Sequence, residues 1–135
     1  MINRIDNARI WDATRVVFDE AGKDGRQMAI AVTDEAGSLV FGARMEQAAA
    51  RILTHAIRKA YTSAVMQRDT ITFRDEDADR HKTLADWGDN SLTHLVGGVV
   101  LCKNGKWFGG LGVGGNSTER DDEIARIAMH ILLAR

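Results

Sequence analysis

Proline is absent from the 135 residues, and cysteine occurs once, as Cys102. A single cysteine excludes an internal disulfide, a cysteine-based metal cluster and covalent haem attachment through Cys-x-x-Cys-His. Neither charge sign dominates: 18 Lys and Arg against 19 Asp and Glu leave a formal net charge of -1. The basic face that nucleic acid or an anionic membrane requires is therefore missing. No apolar run reaches membrane-spanning length, and residues 1–25 mix acids and bases through an amphipathic pattern unlike a signal peptide. The expectation is a cytoplasmic protein with no nucleic-acid or membrane partner. The hydrophobic share of 44% and charged share of 27% suit a globular chain, read as a single domain over 1–135.

With proline gone, glycine punctuates the elements. Ile5, Ile10, Ala13, Val16, Val17 and Ala21 share one side of a helix over about 3–22, which Gly22 and Gly25 end. Trp11 and Phe18 form a second apolar stripe on its other side, suited to a neighbouring loop or to a subunit contact. Residues 28–34 are apolar on both alternating faces, the pattern of a covered central strand, and a turn at 34–37 returns the chain as a strand to Ala43. From 47 to 67 neither glycine nor proline interrupts helical spacing, which predicts the longest helix. Residues 69–94 lose all period and read as a connecting segment, with a helical turn over 83–87, a further strand near 71–73, and Trp87 and Leu92 as anchors. Asn104-Gly105 then joins strands 97–103 and 106–113, and a last helix starts near Thr118, with Ser117 or Thr118 as its cap. Its 124–133 stretch is apolar enough to predict burial. Two hairpins interleaved with helices give an α+β class, an antiparallel sheet with helices packed on it.

The densest chemical signal is the glycine-rich stretch 109–115 running into that last helix. Bare backbone N–H groups at a helix start favour a carboxylate or phosphate. A dinucleotide fingerprint is excluded, because no βαβ unit follows. The four histidines show no metal-ligand spacing, so no metal site is expected. His130 reads as packed within the apolar last helix, and His81 and His94 as solvent-exposed. His55 lies four residues before Lys59 on the polar side of the long helix, alongside Arg51, Arg58 and Thr62, and is the best placed for acid–base work or axial ligation.

The run Val32-Thr33-Asp34-Glu35-Ala36-Gly37, then Arg44-Met45, Lys59-Ala60-Tyr61-Thr62-Ser63-Ala64, and Gly109-Gly110-Leu111-Gly112-Val113-Gly114-Gly115 with Asp121 or Asp122 and Ala125, resembles the GlcG/HbpS family. That resemblance spans nearly the whole chain. It implies a profilin-like fold, homo-oligomers, and a pocket between the lysine-bearing helix and the glycine-rich turn. It makes Lys59, Gly112, Val113, Gly114 and Gly115 the ligand-binding candidates, with Arg44 as support. Relatives commonly carry Gly-Gly-x-Pro before the last hairpin, whereas this chain has Gly97-Gly98-Val99-Val100.

The leading functional expectation is a small-ligand-binding protein taking haem, another tetrapyrrole or a small organic anion non-covalently, with no axial ligand assigned by motif. Lys59 pairing with an anion on the turn is the chemistry that supports it. One alternative is an enzyme of small-acid or aromatic catabolism with Lys59 or His55 as catalytic acid–base. Another is an assembly partner without its own ligand.

Overall fold

The computed structural model describes residues 4–134. In chain order the elements are α1 (Asn7–Lys23), β1 (Ala29–Thr33), β2 (Leu39–Arg44), α2 (Ala50–Met66), α3 (Thr70–Asp79), a 3-10 turn (Leu84–Trp87), β3 (Gly98–Lys103), β4 (Lys106–Gly114) and α4 (Thr118–Leu132). The four strands form one antiparallel sheet in the order β2-β1-β4-β3. The α+β class and the antiparallel sheet agree with the sequence reading.

Period-two alternation assigns each strand residue to a face. On one side Met28, Ile30 and Val32 join Val99, Leu101, Leu111 and Val113 in a core closed by Ile10, Ala13 and Val17 of α1 and by Ile124, Ala125, Ala128 and Leu132 of α4. On the other side the central strands present small residues: Ala29 and Ala31 meet Ala56 and Ala60 of α2. The glycines of β4 complete this second face. A Cβ on Gly110 would lie 2.0 Å from the Ala60 carbonyl oxygen, and one on Gly112 would lie 2.1 Å from that of Ala56. The alternating glycines therefore let a helix backbone rest directly on the sheet, a reason for their presence that needs no ligand.

Several sequence expectations are corrected. Residues 4–6 precede the helix, Asp6 capping it by accepting from the Ala8 N–H at 2.9 Å, and residue 3 lies outside the described residues. The helix at 50–66 is not the longest, since α1 matches its 17 residues. The strand expected near 71–73 is instead the first turn of α3. Its inward residues Thr70, Phe73 and Asp77 are buried, and with two of three polar they carry no hydrophobic period. His130 and Ile127 are exposed, because the α4 surface facing α1 and the sheet is already filled by residues 124, 125, 128 and 132. Trp87 is half-buried and donates to Asp77, and Leu92 is buried, as their anchoring role predicted.

The sheet's two edges are treated differently. Along β3, the Gly98 N–H donates to Thr70 Oγ1 at 3.0 Å and the Val100 N–H to Asp69 Oδ1 at 2.9 Å. Proline at position 100 would lack that second donor, so the bond to Asp69 requires a residue with a backbone N–H here. Along β2 no comparable cover exists among the described residues, and Leu39 and Val40 are exposed. No described helix is long and apolar enough to cross a membrane.

Candidate functional site

The end of β4, the start of α4 and the polar stripe of α2 enclose an open cavity of about 370 Å³. Arg51, His55 and Lys59 reach it from successive turns of α2, Gly114 and Gly115 from the turn, Asn116, Thr118 and Asp121 from the α4 entry, and Leu95 and Val96 from the loop before β3. Arg26 and Ile52 complete the wall.

Lys59 is only 4% exposed, an unusual place for an ammonium group. Its Nζ donates to the Val113 carbonyl oxygen at 2.8 Å and to Asp121 Oδ2 at 3.3 Å. Asp121, 5% exposed, accepts with its other oxygen from the Asn116 N–H at 3.0 Å. The anion expected on the glycine-rich turn is thus supplied by the chain itself. Asp121 occupies the N–H corner and Lys59 neutralises it, so an external anion must find other partners. Burial pulls Lys59 below the ordinary lysine value and pushes the Asp121 carboxyl above its own, while their mutual attraction opposes both shifts.

Arg26 and Arg51 also line the cavity. Both are exposed at the cavity rim and enter none of the ion pairs among the described residues. His55 is half-buried on α2, one turn from Arg51 and one turn from Lys59. Burial, then the neighbouring Lys59, Arg51 and Arg58 charges, lower its proton affinity, which favours the neutral imidazole.

Of the residues singled out in the sequence, Lys59, Gly114, Gly115 and His55 line this one cavity. Gly112 and Val113 are buried in the strand behind them: Gly112 faces α2, and Val113 contributes only its carbonyl. Arg44 is not part of the cavity wall. It sits at the far end of the β1–β2 hairpin, where its guanidinium donates to the Ala48 carbonyl at 3.1 Å. Sequence reading did not single out Arg26, Asn116, Leu95 or Val96 for the site. The Arg51–His55–Lys59 stripe at four-residue intervals was a visible signal, whereas Arg26 follows Gly25 without any pattern. No group of three or more metal-ligating side chains occurs among the described residues.

The mouth of the site is braced from α1. Arg120 Nε donates to Asp24 at 2.7 Å and its Nη2 to Glu20 at 2.9 Å, while the Asn116 amide donates to the same Asp24 carboxylate at 2.8 Å. This ties the turn after β4 to the C-terminal end of α1.

The sequence profile described as "Haem degrading protein HbpS-like" matches residues 5–130. The chain belongs to this family. Among solved structures, the HbpS-like chain is similar to a double mutant of Streptomyces reticuli HbpS, with 27% identity and a TM-score of 0.85 over 98% of this chain and 89% of that one. It also shares the fold of Klebsiella pneumoniae ORFY, at 19% identity and TM-score 0.88 over 100% and 94% of the two chains. PduOC, crystallised as a haem complex, shares it at 23% identity and TM-score 0.84 over 95% and 94%. Comparison with curated protein sequences finds no significant match. The HbpS-like assignment agrees with the GlcG/HbpS resemblance of the sequence motifs.

Proposed function

We propose that this HbpS-like chain binds an anionic small molecule non-covalently in the cavity between α2 and the β4–α4 turn, with haem as the leading candidate. The observation that carries the reading is the pair of uncommitted guanidinium groups, Arg26 and Arg51, lining one cavity with His55. Guanidinium groups favour carboxylates through paired, charge-assisted hydrogen bonds. Haem fits that donor set. Its propionates would fall to Arg26 and Arg51, its ring to the apolar Ile52, Leu95 and Val96, and its iron to the His55 nitrogen. When bound, haem supplies redox-active iron chemistry; the residues here hold and orient it. The cavity volume lies at the lower end of small-molecule sites, so a large ligand would project past Leu95 into solvent. The haem complex of PduOC and the haem-related description of the HbpS-like family support the choice of ligand.

Titration of the purified chain with haemin tests it. A saturable Soret shift at stoichiometric haem is expected, abolished in His55→Ala and weakened by salt and by Arg26→Ala/Arg51→Ala. Absence of any shift beyond the free-haemin control would remove haem as the ligand.

Assembly of copies of the chain is part of the same reading. Trp11, 60% exposed, sits edge-on to Phe41 at 5.1 Å beside the uncovered β2 edge with its exposed Leu39 and Val40, an apolar surface suited to contact. Light scattering should show a lower mass for Trp11→Lys than for the parent; equal masses would place the contact elsewhere.

A further inference from the structure

Anion binding at Arg26 and Arg51 makes no use of the Lys59 amine beyond its pairing with Asp121. Two of its three ammonium hydrogens are committed, to Val113 and Asp121, which fix the amine at the inner wall of the cavity. Two glycines lie against Nζ. A Cβ on Gly97 would come within 3.0 Å of Nζ, and one on Gly114 within 3.3 Å, so any side chain at either position would crowd the nitrogen. Asp121 stands at the distance of a proton-transfer partner, anchored by the Asn116 N–H. Burial weakens the hold of the amine on its proton, the requirement for a nucleophilic lysine.

We propose that the Lys59 amine condenses with the carbonyl group of a small α-keto carboxylate in this cavity to form an imine. The proposal rests on the anion-binding reading for the carboxylate end, which Arg26 and Arg51 would receive. Asp121 first takes one ammonium proton. The freed lone pair attacks the carbonyl carbon, the π pair moves to oxygen, and one N–H proton of the adduct follows to that oxygen. Asp121 then returns its proton to the hydroxyl group, which leaves as water while the nitrogen pair closes the C=N bond. One carbonyl compound enters and one water leaves, with no oxidant or reductant. The protonated imine is left facing the Asp121 carboxylate, which replaces the original ion pair. His55, one helical turn before Lys59 and also lining the cavity, is the base available to the carbon beside the imine.

The test is reductive trapping of the full chain. Protein incubated with pyruvate is treated with sodium borohydride, digested and mapped by mass spectrometry. One reduced pyruvate adduct on Lys59 is expected, with Lys23, Lys82, Lys103 and Lys106 unlabelled, and the wild-type map decides this even if variants fold poorly. Lys59→Arg should lose the adduct, and Asp121→Asn should slow trapping at least tenfold. No adduct, or labelling spread over the four other lysines and unchanged in Lys59→Arg, would overturn the proposal. Lys59 labelling that survives in Arg26→Ala/Arg51→Ala supports the imine while removing the arginine clamp. Absence of labelling in a chain that still binds haemin overturns the imine and spares the anion site.

Discussion

Replacing Gly112 by alanine tests whether the glycine run is built for packing. The added methyl would sit 2.1 Å from the Ala56 carbonyl oxygen, 2.7 Å from the Ala60 nitrogen and 2.9 Å from Lys59 Cβ, where ordinary contact starts at 3.4 Å. Two of these atoms are α2 backbone, so no rotamer change relieves the overlap; the helix must lift off the sheet by about 1 Å. Overpacking of a close-packed interior costs about 1–3 kcal/mol, and a clash against backbone belongs at or beyond the upper end. At roughly 4 °C per kcal/mol for a chain of this size, the melting temperature should fall by about 12 °C. Circular dichroism melts at one fixed protein concentration read this out, since assembly would otherwise move the midpoint. Gly22→Ala is the control. Its methyl meets nothing within 4 Å and it lies in a helix, so stability should rise by about 0.5–1 kcal/mol. A Gly112→Ala melt within about 2 °C of the parent would refute the packing argument.

Lys59→Met strands a buried carboxylate and should cost about 3–5 kcal/mol in denaturant unfolding, part of it recovered by adding Asp121→Asn. In the single variant the Asp121 carboxyl, already raised by burial, has lost its counter-charge. A folded value above the unfolded one gives stability that is present below the ordinary carboxylate range and lost as pH rises, so this variant should gain stability on acidification to about pH 4, and a flat profile would refute the assignment. Arg120→Ala should lower the melting temperature at low ionic strength and by less in molar salt, because its partners Glu20 and Asp24 lie near solvent; a salt-independent loss would point to packing instead. Asp77, 1% exposed, accepts from Trp87 Nε1 at 3.0 Å and bonds His94 Nε2 at 2.6 Å, so Asp77→Ala should cost about 1–3 kcal/mol and shift Trp87 fluorescence, with Asp77→Asn milder.

What could be read from the sequence follows from where the folding signal is local. Asn104-Gly105 announces its hairpin, and the uninterrupted spacing from Ile52 to Ala64 announces α2, because turn geometry and helical period act over a few residues. The segment 69–94 hid α3, since that helix turns Thr70 and Asp77 inward and satisfies them with the Gly98 backbone and with Trp87 and His94, partners up to 28 residues away. The site was half legible for the same reason. Lys59 and the glycine turn stand out in any pass along the chain. That the turn's anion would be Asp121 depends on α4 folding back across the end of the sheet, which no local pattern encodes.

The unequal sheet edges have a consequence for growth. On the β3 side, Asp69 and Thr70 mimic a fifth strand with side-chain oxygens, so that side is terminated chemically rather than by bulk. The β2 side carries no such terminator among the described residues. The sheet is a one-ended template: any added strand, from a sister copy or a misfolded neighbour, has a single place to join, on the far side of the sheet order from β3.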